Sequence, residues 1–200
     1  WLHRNLFGGG ERLQISGAIT NIGATTSGID YALGLTLSRP ATFTPDTTLT
    51  FETTLAKLDQ EDFTADLFGV TLGLSHVFSD SLSGSAGFGY EYARVTDETG
   101  VNLYRNLSLP LALTWDRRNS KTDATKGFYI DAKLKPFLGF GITDTGARLA
   151  LDLRGYRGFG SEERFVLAAR LQAGAILGAS LPGTPRDYLF YSGGGGTVRG

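Results

Sequence analysis

The side chains able to do chemistry are few and far apart. The 200 residues contain two His, His3 and His76, and no Cys. Without Cys there is no thiolate ligand, no thiol nucleophile and no disulfide. A Ser–His pair of the kind used by barrel phospholipases would have to rest on His76, in Leu74-Ser75-His76. Its place near the end of an alternating segment reads more simply as a strand boundary. No cluster of His, Asp and Glu shows the spacing of a metal site. The run Gly193-Gly194-Gly195-Gly196 lacks the following Lys-Ser/Thr and the helix that a phosphate loop needs. Asp152 lies close in sequence to Arg148 and Arg154, and such neighbours read as ion pairs rather than as an acid–base couple. The residues therefore assign no catalytic, cofactor-binding or metal-binding role.

Composition narrows the class further. Hydrophobic residues make up 41% and charged residues 20%, which is not the balance of a disordered chain. A formal net charge of −1 gives no reason to expect a nucleic-acid partner. With 28 Gly and 13 Phe, the chain has the Gly-and-aromatic bias of β-barrels, which many other all-β proteins share. No stretch of 18 or more residues is uniformly apolar. The nearest candidate, 165–181, is interrupted by Arg170, Gln172 and several small residues. A barrel needs no such stretch, because its strands satisfy one another's backbone groups. The absence of Met, with Trp1 first, leads us to expect a piece of a longer protein.

The elements that must carry these residues follow from alternation. Leu107, Leu109, Leu111, Leu113 and Trp115 alternate with Ser108, Pro110, Ala112, Thr114 and Asp116. In a strand, successive side chains point to opposite faces, so one face is apolar and the other small or polar. The same reading predicts nine strands at about 11–22, 28–39, 47–58, 64–78, 82–95, 101–116, 127–140, 145–158 and 164–178. Most are longer than the usual globular strand and suit the roughly 9–11 residues that cross a bilayer at a tilt.

The polar face carries Glu52, Glu91, Asp131, Lys133, Lys135, Arg148, Asp152, Arg154 and Arg170. Periodicity alone allows either face to be the outer one. Strand length, strand number and charges of both signs favour an apolar outside and a wet lumen over a soluble sandwich or barrel. If the turn before Leu13 is periplasmic, the links at 39–46, 78–81, 117–126 and 159–163 lie on the same side. Those at 21–27, 57–62, 96–100 and after 178 then lie on the other. The expected fold is all-β, an antiparallel transmembrane β-barrel, with 179–200 as a loop.

Three segments go beyond a generic barrel. The first is Arg4-Asn5-Leu6-Phe7-Gly8-Gly9-Gly10-Glu11-Arg12-Leu13. The second is Trp115-Asp116-Arg117-Arg118-Asn119, followed by Asp123, Lys126, Gly127 and Phe128. The third is Tyr191-Ser192-Gly193-Gly194-Gly195-Gly196-Thr197-Val198-Arg199-Gly200. Singly they read as a tight turn, a polar turn and a flexible Gly-rich loop. In this order and at this spacing they resemble the BamA/TamA superfamily of outer-membrane assembly barrels, the bacterial surface antigen barrels. The wording of the first segment is closer to TamA. The resemblance spans essentially the whole chain.

It implies strands three to eleven of a roughly 16-stranded barrel, an even count as is usual for bacterial barrels. It also implies POTRA domains upstream. Two periplasmic turns would be marked by Asn5, Leu6, Gly8 and Gly10, and by Asp116, Arg118, Asp123 and Gly127. An extracellular loop would fold into the lumen and carry Gly193, Gly194, Val198, Arg199 and Gly200. There Arg199 would pair with acidic residues on the inner wall of later strands. The implied function is non-enzymatic insertion of barrel proteins or autotransporters, without a cofactor. Implied partners are outer-membrane lipids, unfolded outer-membrane or autotransporter proteins, and an inner-membrane protein or lipoprotein reached through the upstream domains. A two-partner secretion transporter, a passive porin and an outer-membrane enzyme are the other readings.

Overall fold

Long alternating segments bury nothing alone; they are stabilised by pairing edge to edge until every central strand has two neighbours. The computed structural model describes residues 1–25 and 27–190. The strands are β1 (Leu2–Arg4), β2 (Arg12–Thr20), β3 (Asp30–Arg39), β4 (Thr47–Asp59), β5 (Phe63–Ser79) and β6 (Leu82–Asp97). There follow β7 (Gly100–Ser108), β8 (Leu111–Asp116), β9 (Lys126–Gly141), β10 (Gly146–Phe159) and β11 (Phe165–Leu177). They form one 11-stranded sheet in which every pairing is antiparallel and strand order follows chain order. None of the described helices is long and apolar enough to cross a membrane.

The nine expected strands become eleven for two reasons. β1 is a three-residue approach to the first turn, pairing Leu2–Arg4 with residues 12–14, and is too short to show a period. The expected strand at 101–116 is divided into β7 and β8 around Pro110, which has no N–H to give to a ladder. Register does not change across the division. Ser108 faces Gly89 and Phe137 on one side of the proline, and Leu111 faces Ala86 and Leu134 on the other. The Gly87 amide donates to the Pro110 carbonyl at 2.9 Å, and the Leu109 amide to the Pro136 carbonyl at 2.9 Å. The chain therefore crosses the sheet here once, as one strand with a proline in it.

Register places the two faces as alternation requires. One row runs Ser16, Gly34, Thr54, Gly69, Glu91, Asn106 and Gly139. The adjacent row, on the other face, runs Gly17, Leu33, Leu55, Phe68, Tyr92, Arg105 and Phe140. Exposure is inverted relative to a soluble protein. Leu72, Phe88 and Leu171 on the apolar face are 51%, 57% and 60% exposed, whereas Asn106 on the polar face is 1% exposed. The polar face is the concave one: Tyr188, from the segment after β11, touches polar-face side chains of four adjacent strands, which a flat sheet would hold too far apart. An apolar convex wall round a polar interior is the arrangement of a transmembrane barrel, and the sheet is an arc of one.

Candidate functional site

The inner wall from β6 to β11 is a ladder of charges. Asp152 on β10 is clasped by two guanidinium forks, Arg154 at 3.1 and 2.7 Å and Arg170 of β11 at 3.1 and 2.7 Å. Lys133 lies 3.3 Å from Asp131 on the same strand, and Lys135 of β9 pairs with Glu91 of β6. Such pairs let charge line a cavity without leaving any group desolvated and alone. The pairing of Asp152 with Arg148 suggested by sequence proximity does not form. Arg148 turns instead to the loop after β11.

That loop lies across the polar face. Its anchor is Tyr188, in the short 3-10 turn Arg186–Tyr188. Tyr188 is 1% exposed, and its ring packs edge-on against Phe137 with centroids 5.0 Å apart. The Lys135 ammonium sits 4.3 Å above the same ring. The hydroxyl donates its one proton to Glu91, while Asn106 Oδ1 lies 3.0 Å away. The Asn106 amide turned the other way would donate to that hydroxyl and satisfy both groups. Arg148 Nε donates to the Tyr188 carbonyl at 2.9 Å, and its guanidinium covers the Phe190 ring at 4.2 Å. Phe190 in turn lies over Gly174, where an added Cβ would meet the ring at 2.5 Å. Further toward the rim, Arg186 donates to Asp97 at 2.9 Å and covers Phe63 at 4.6 Å.

A second attachment holds the start of the loop. Asp144, between β9 and β10, accepts from the Ser180 amide at 2.8 Å and from the Ser180 hydroxyl. The Asp144 amide donates to the Gly183 carbonyl at 2.8 Å, and the Tyr104 hydroxyl to the Pro182 carbonyl at 3.2 Å. The Ser180 side-chain and backbone hydrogen bonds hold the Asp144 carboxyl below its ordinary value of 3.8. A depressed carboxylate stabilises the attached state above its free value, and that contribution is lost as pH falls through the lowered one. Acidification of the intact protein from neutral pH to well below 3.8 is therefore expected to expose residues 178–184 to proteolysis. Asp144→Asn should leave that segment accessible at both pH values. Equal protection of the unmodified protein at both would remove Asp144 as a clamp.

The two turn motifs are built by carboxylates and amides. In the first, Asn5 has a left-handed φ of 64°, and its Oδ1 accepts from the Gly10 amide at 2.8 Å. Gly8 and Gly10 have φ of 90° and 83°. Glu11, outside the expected set, organises this turn by accepting from the amides of Phe7 at 3.3 Å and Gly9 at 2.9 Å. Its own amide, then those of Gly9 and Phe7, lower the Glu11 carboxyl against the opposing effect of burial. Leu6 enters only through its amide, which donates to the Glu11 carbonyl at 3.2 Å.

In the second turn, Arg118 forks onto Asp116 at 2.9 and 2.8 Å and lies over the Tyr129 ring at 4.9 Å. Asn119 Oδ1 accepts from the amides of Thr125 and Lys126 at 3.0 Å each. Gly127 has φ of 100°, and a Cβ there would sit 2.0 Å from the Arg117 carbonyl oxygen, so no other residue fits. Lys126 and Thr125 both reach Glu163 of the next turn. Asp123 makes no side-chain hydrogen bond or ion pair among the described residues and contributes its amide, which donates to Ser120 at 3.1 Å.

His76 faces the apolar wall. Thr47 Oγ1 lies 2.7 Å from its Nδ1, and Phe78 packs edge-on at 4.7 Å. It sits near the end of β5, as a boundary residue does. No group of His, Cys, Asp and Glu among the described residues has the geometry of a metal site. Gly193, Gly194, Val198, Arg199 and Gly200 lie outside the described residues. Tyr188 was invisible to motif reading because a lone Tyr in a Pro- and Gly-containing segment has no period or spacing to mark it.

The model for the Omp85 superfamily domain matches residues 5–200. No curated protein sequence matches the chain. Among solved structures, the sheet is similar to the crystal structure of BamA from Haemophilus ducreyi lacking POTRA domains 1–3. That match has a TM-score of 0.76 and 17% identity, and it covers 100% of this chain but 41% of that one. The likeness in coordinates shows a shared fold, and the family match extends from the first turn motif through the strands, the anchored loop and the Gly-rich segment. The chain belongs to the Omp85 superfamily.

Proposed function

We propose that this chain is barrel wall from a non-enzymatic factor that inserts other proteins into the bacterial outer membrane. Superfamily membership supports insertion or secretion of proteins as the general task. The observation that carries the narrower reading is the loop fastened to the inner wall by Tyr188 and Asp144. A loop fastened to the lumen wall by Tyr188 and Asp144 narrows the passage for free diffusion, which argues against a passive porin. It leaves the membrane-facing wall and the barrel's edge as the working surfaces. An incoming strand would pair with an edge by main-chain hydrogen bonding while the bilayer is locally thinned.

Its clients would be unfolded barrel proteins or autotransporters, with membrane lipids as the second partner. An inner-membrane protein or lipoprotein would be reached through periplasmic POTRA domains of the longer protein. The motif Gly193, Gly194, Val198, Arg199 and Gly200 would continue the loop's attachment, with Arg199 forking onto a carboxylate of the inner wall. Neither nucleic acid nor a cofactor enters this scheme. Two-partner secretion is the alternative within the superfamily, and the paired charges Asp131, Lys133, Asp152, Arg154 and Arg170 favour it to the extent that they would line a polar passage.

The deciding experiment reconstitutes the intact protein in lipid vesicles and adds a urea-unfolded outer-membrane barrel. The expected result is faster appearance of the client's heat-resistant folded form than in protein-free vesicles. No acceleration, with a dedicated polypeptide delivered into the vesicle interior, would select the secretion transporter. No acceleration with high steady conductance would select a porin.

A further inference from the structure

The outer wall carries charges where a lipid-facing surface should have none. Lys57 on β4 faces Asp66 on β5, which faces Arg94 on β6. Arg105 on β7 belongs to the adjacent row, opposite Tyr92, and is a diagonal neighbour of Arg94, roughly 7–8 Å away for such a pair. All four side chains are exposed, and none takes part in an ion pair among the described residues. With Asp59 two residues beyond Lys57 on the same face of β4, three cations stand against two carboxylates, a local excess of one positive charge.

Their position is confined in both directions. Below them the same face is aromatic and aliphatic: Phe68 and Tyr92 share a row with Arg105, and Phe68 packs against Tyr90 with centroids 6.4 Å apart. This is the girdle of amphipathic rings that marks a membrane interface. Above them β5 and β6 continue for three residues, to Phe63 and Asp97, so the charges lie on the wall about 10 Å below the strand tips. Across the barrel wall, the outer positions toward the same ends of β9, β10 and β11 are Leu138, Phe140, Ala147 and Leu177, with no charge among them. The cations are thus gathered on three strands, β4, β6 and β7, around Asp66 of β5 at the headgroup level. An Arg on a lipid-facing wall is tolerated near the interface and is costly deeper.

We propose that Lys57, Arg94 and Arg105 form a binding site on the outer wall for the phosphate of a phosphorylated lipid headgroup. The two guanidinium groups present forks that match phosphate oxygens, Lys57 supplies a third charge from the far side of Asp66, and the aromatic girdle receives the upper acyl carbons. Asp66 lies between Lys57 and Arg94 and its charge limits affinity, so the site exchanges lipid rather than holding it permanently. The site rests on the transmembrane barrel and not on the insertion activity.

The test uses the intact purified protein in neutral detergent, titrated separately with a diphosphorylated acylated disaccharide, phosphatidylcholine and inorganic phosphate, and read by native mass spectrometry. Binding of the diphosphorylated lipid is expected, with at least a tenfold loss in the K57Q/R94Q/R105Q variant and no change for phosphatidylcholine. Asp66→Asn, which keeps every cation, should bind the lipid several-fold more tightly. Heat-resistant gel mobility checks that each variant is folded; if the triple variant is not, the Asp66→Asn result decides alone. Unchanged lipid binding in the triple variant, or no gain in Asp66→Asn, overturns the site. Inorganic phosphate binding as tightly as the lipid would make the ligand a free anion and overturn its assignment to lipid.

Discussion

Replacing Leu111 by Arg is expected to destabilise the intact barrel by about 2–4 kcal/mol, the cost of a cation on a lipid-facing wall at the bilayer midplane. The position follows from the sheet. On the strand formed by β7 and β8, outer-face residues run from Leu107 through Leu109, Leu111 and Leu113 to Trp115, with Arg105 beyond one end and the polar turn beyond the other. Leu111 is the centre of that run. It faces Leu134 on β9, itself midway between Phe128 and Phe140. Arg at the next residue, Ala112, points into the lumen between Ser85 and Lys133. There it meets water and one like charge, so the cost should fall below about 1–2 kcal/mol. Urea unfolding in lipid vesicles measures both. A larger loss at Ala112 than at Leu111 would invert the assignment of inside and outside.

That pair of positions also shows what a sequence of this kind discloses. Leu111 and Ala112 could be assigned to opposite faces from alternation alone, because period-2 chemistry is imposed on every strand by the contrast between lipid and water. The strand at 101–116 was likewise legible through its proline, since register depends on the residue count and not on one missing amide. Asp116, Arg118 and Gly127 were marked by the turn motif of the resemblance, whereas the Asp116–Arg118 fork and the positive φ of Gly127 come from the structure. Glu11 did not, although it organises its turn, because a single carboxylate beside a Gly run resembles any exposed turn residue. The cation cluster escaped for a different reason: Lys57, Arg94 and Arg105 are scattered over 49 positions of sequence and meet only through register. Long-range convergence of this sort has no periodic signature. Tyr188 belongs to the same class, with partners 40 to 97 residues away.

Tyr188→Ala should release the loop from the inner wall. The side chain is almost wholly enclosed, and removing a buried aromatic ring of this size costs about 3–5 kcal/mol of whatever equilibrium it stabilises. Here that equilibrium is docking of residues 178–190, since the strands keep their own ladders without the ring. A shift of this size corresponds to about two to three and a half orders of magnitude in the docked-to-released ratio. Tyr188→Phe separates the two contributions of the residue. It keeps the contacts to Phe137 and the Lys135 ammonium but removes the proton donated to Glu91, and hydrogen bonds to charged groups contribute about 1.5–3 kcal/mol. The Phe variant should lose less than the Ala variant because Glu91 retains Lys135 as its counter-charge. Two readouts follow the same event: protease sensitivity between β11 and Phe190, and open-state conductance of the intact protein in a planar bilayer. Both should rise in the order unmodified, Phe, Ala. If Tyr188→Ala leaves both unchanged, the Asp144–Ser180 clamp is sufficient by itself. If conductance rises while client insertion in vesicles continues at full rate, the docked loop closes the lumen and plays no part in insertion. A parallel fall in insertion would instead mean that the loop braces the wall against which clients fold.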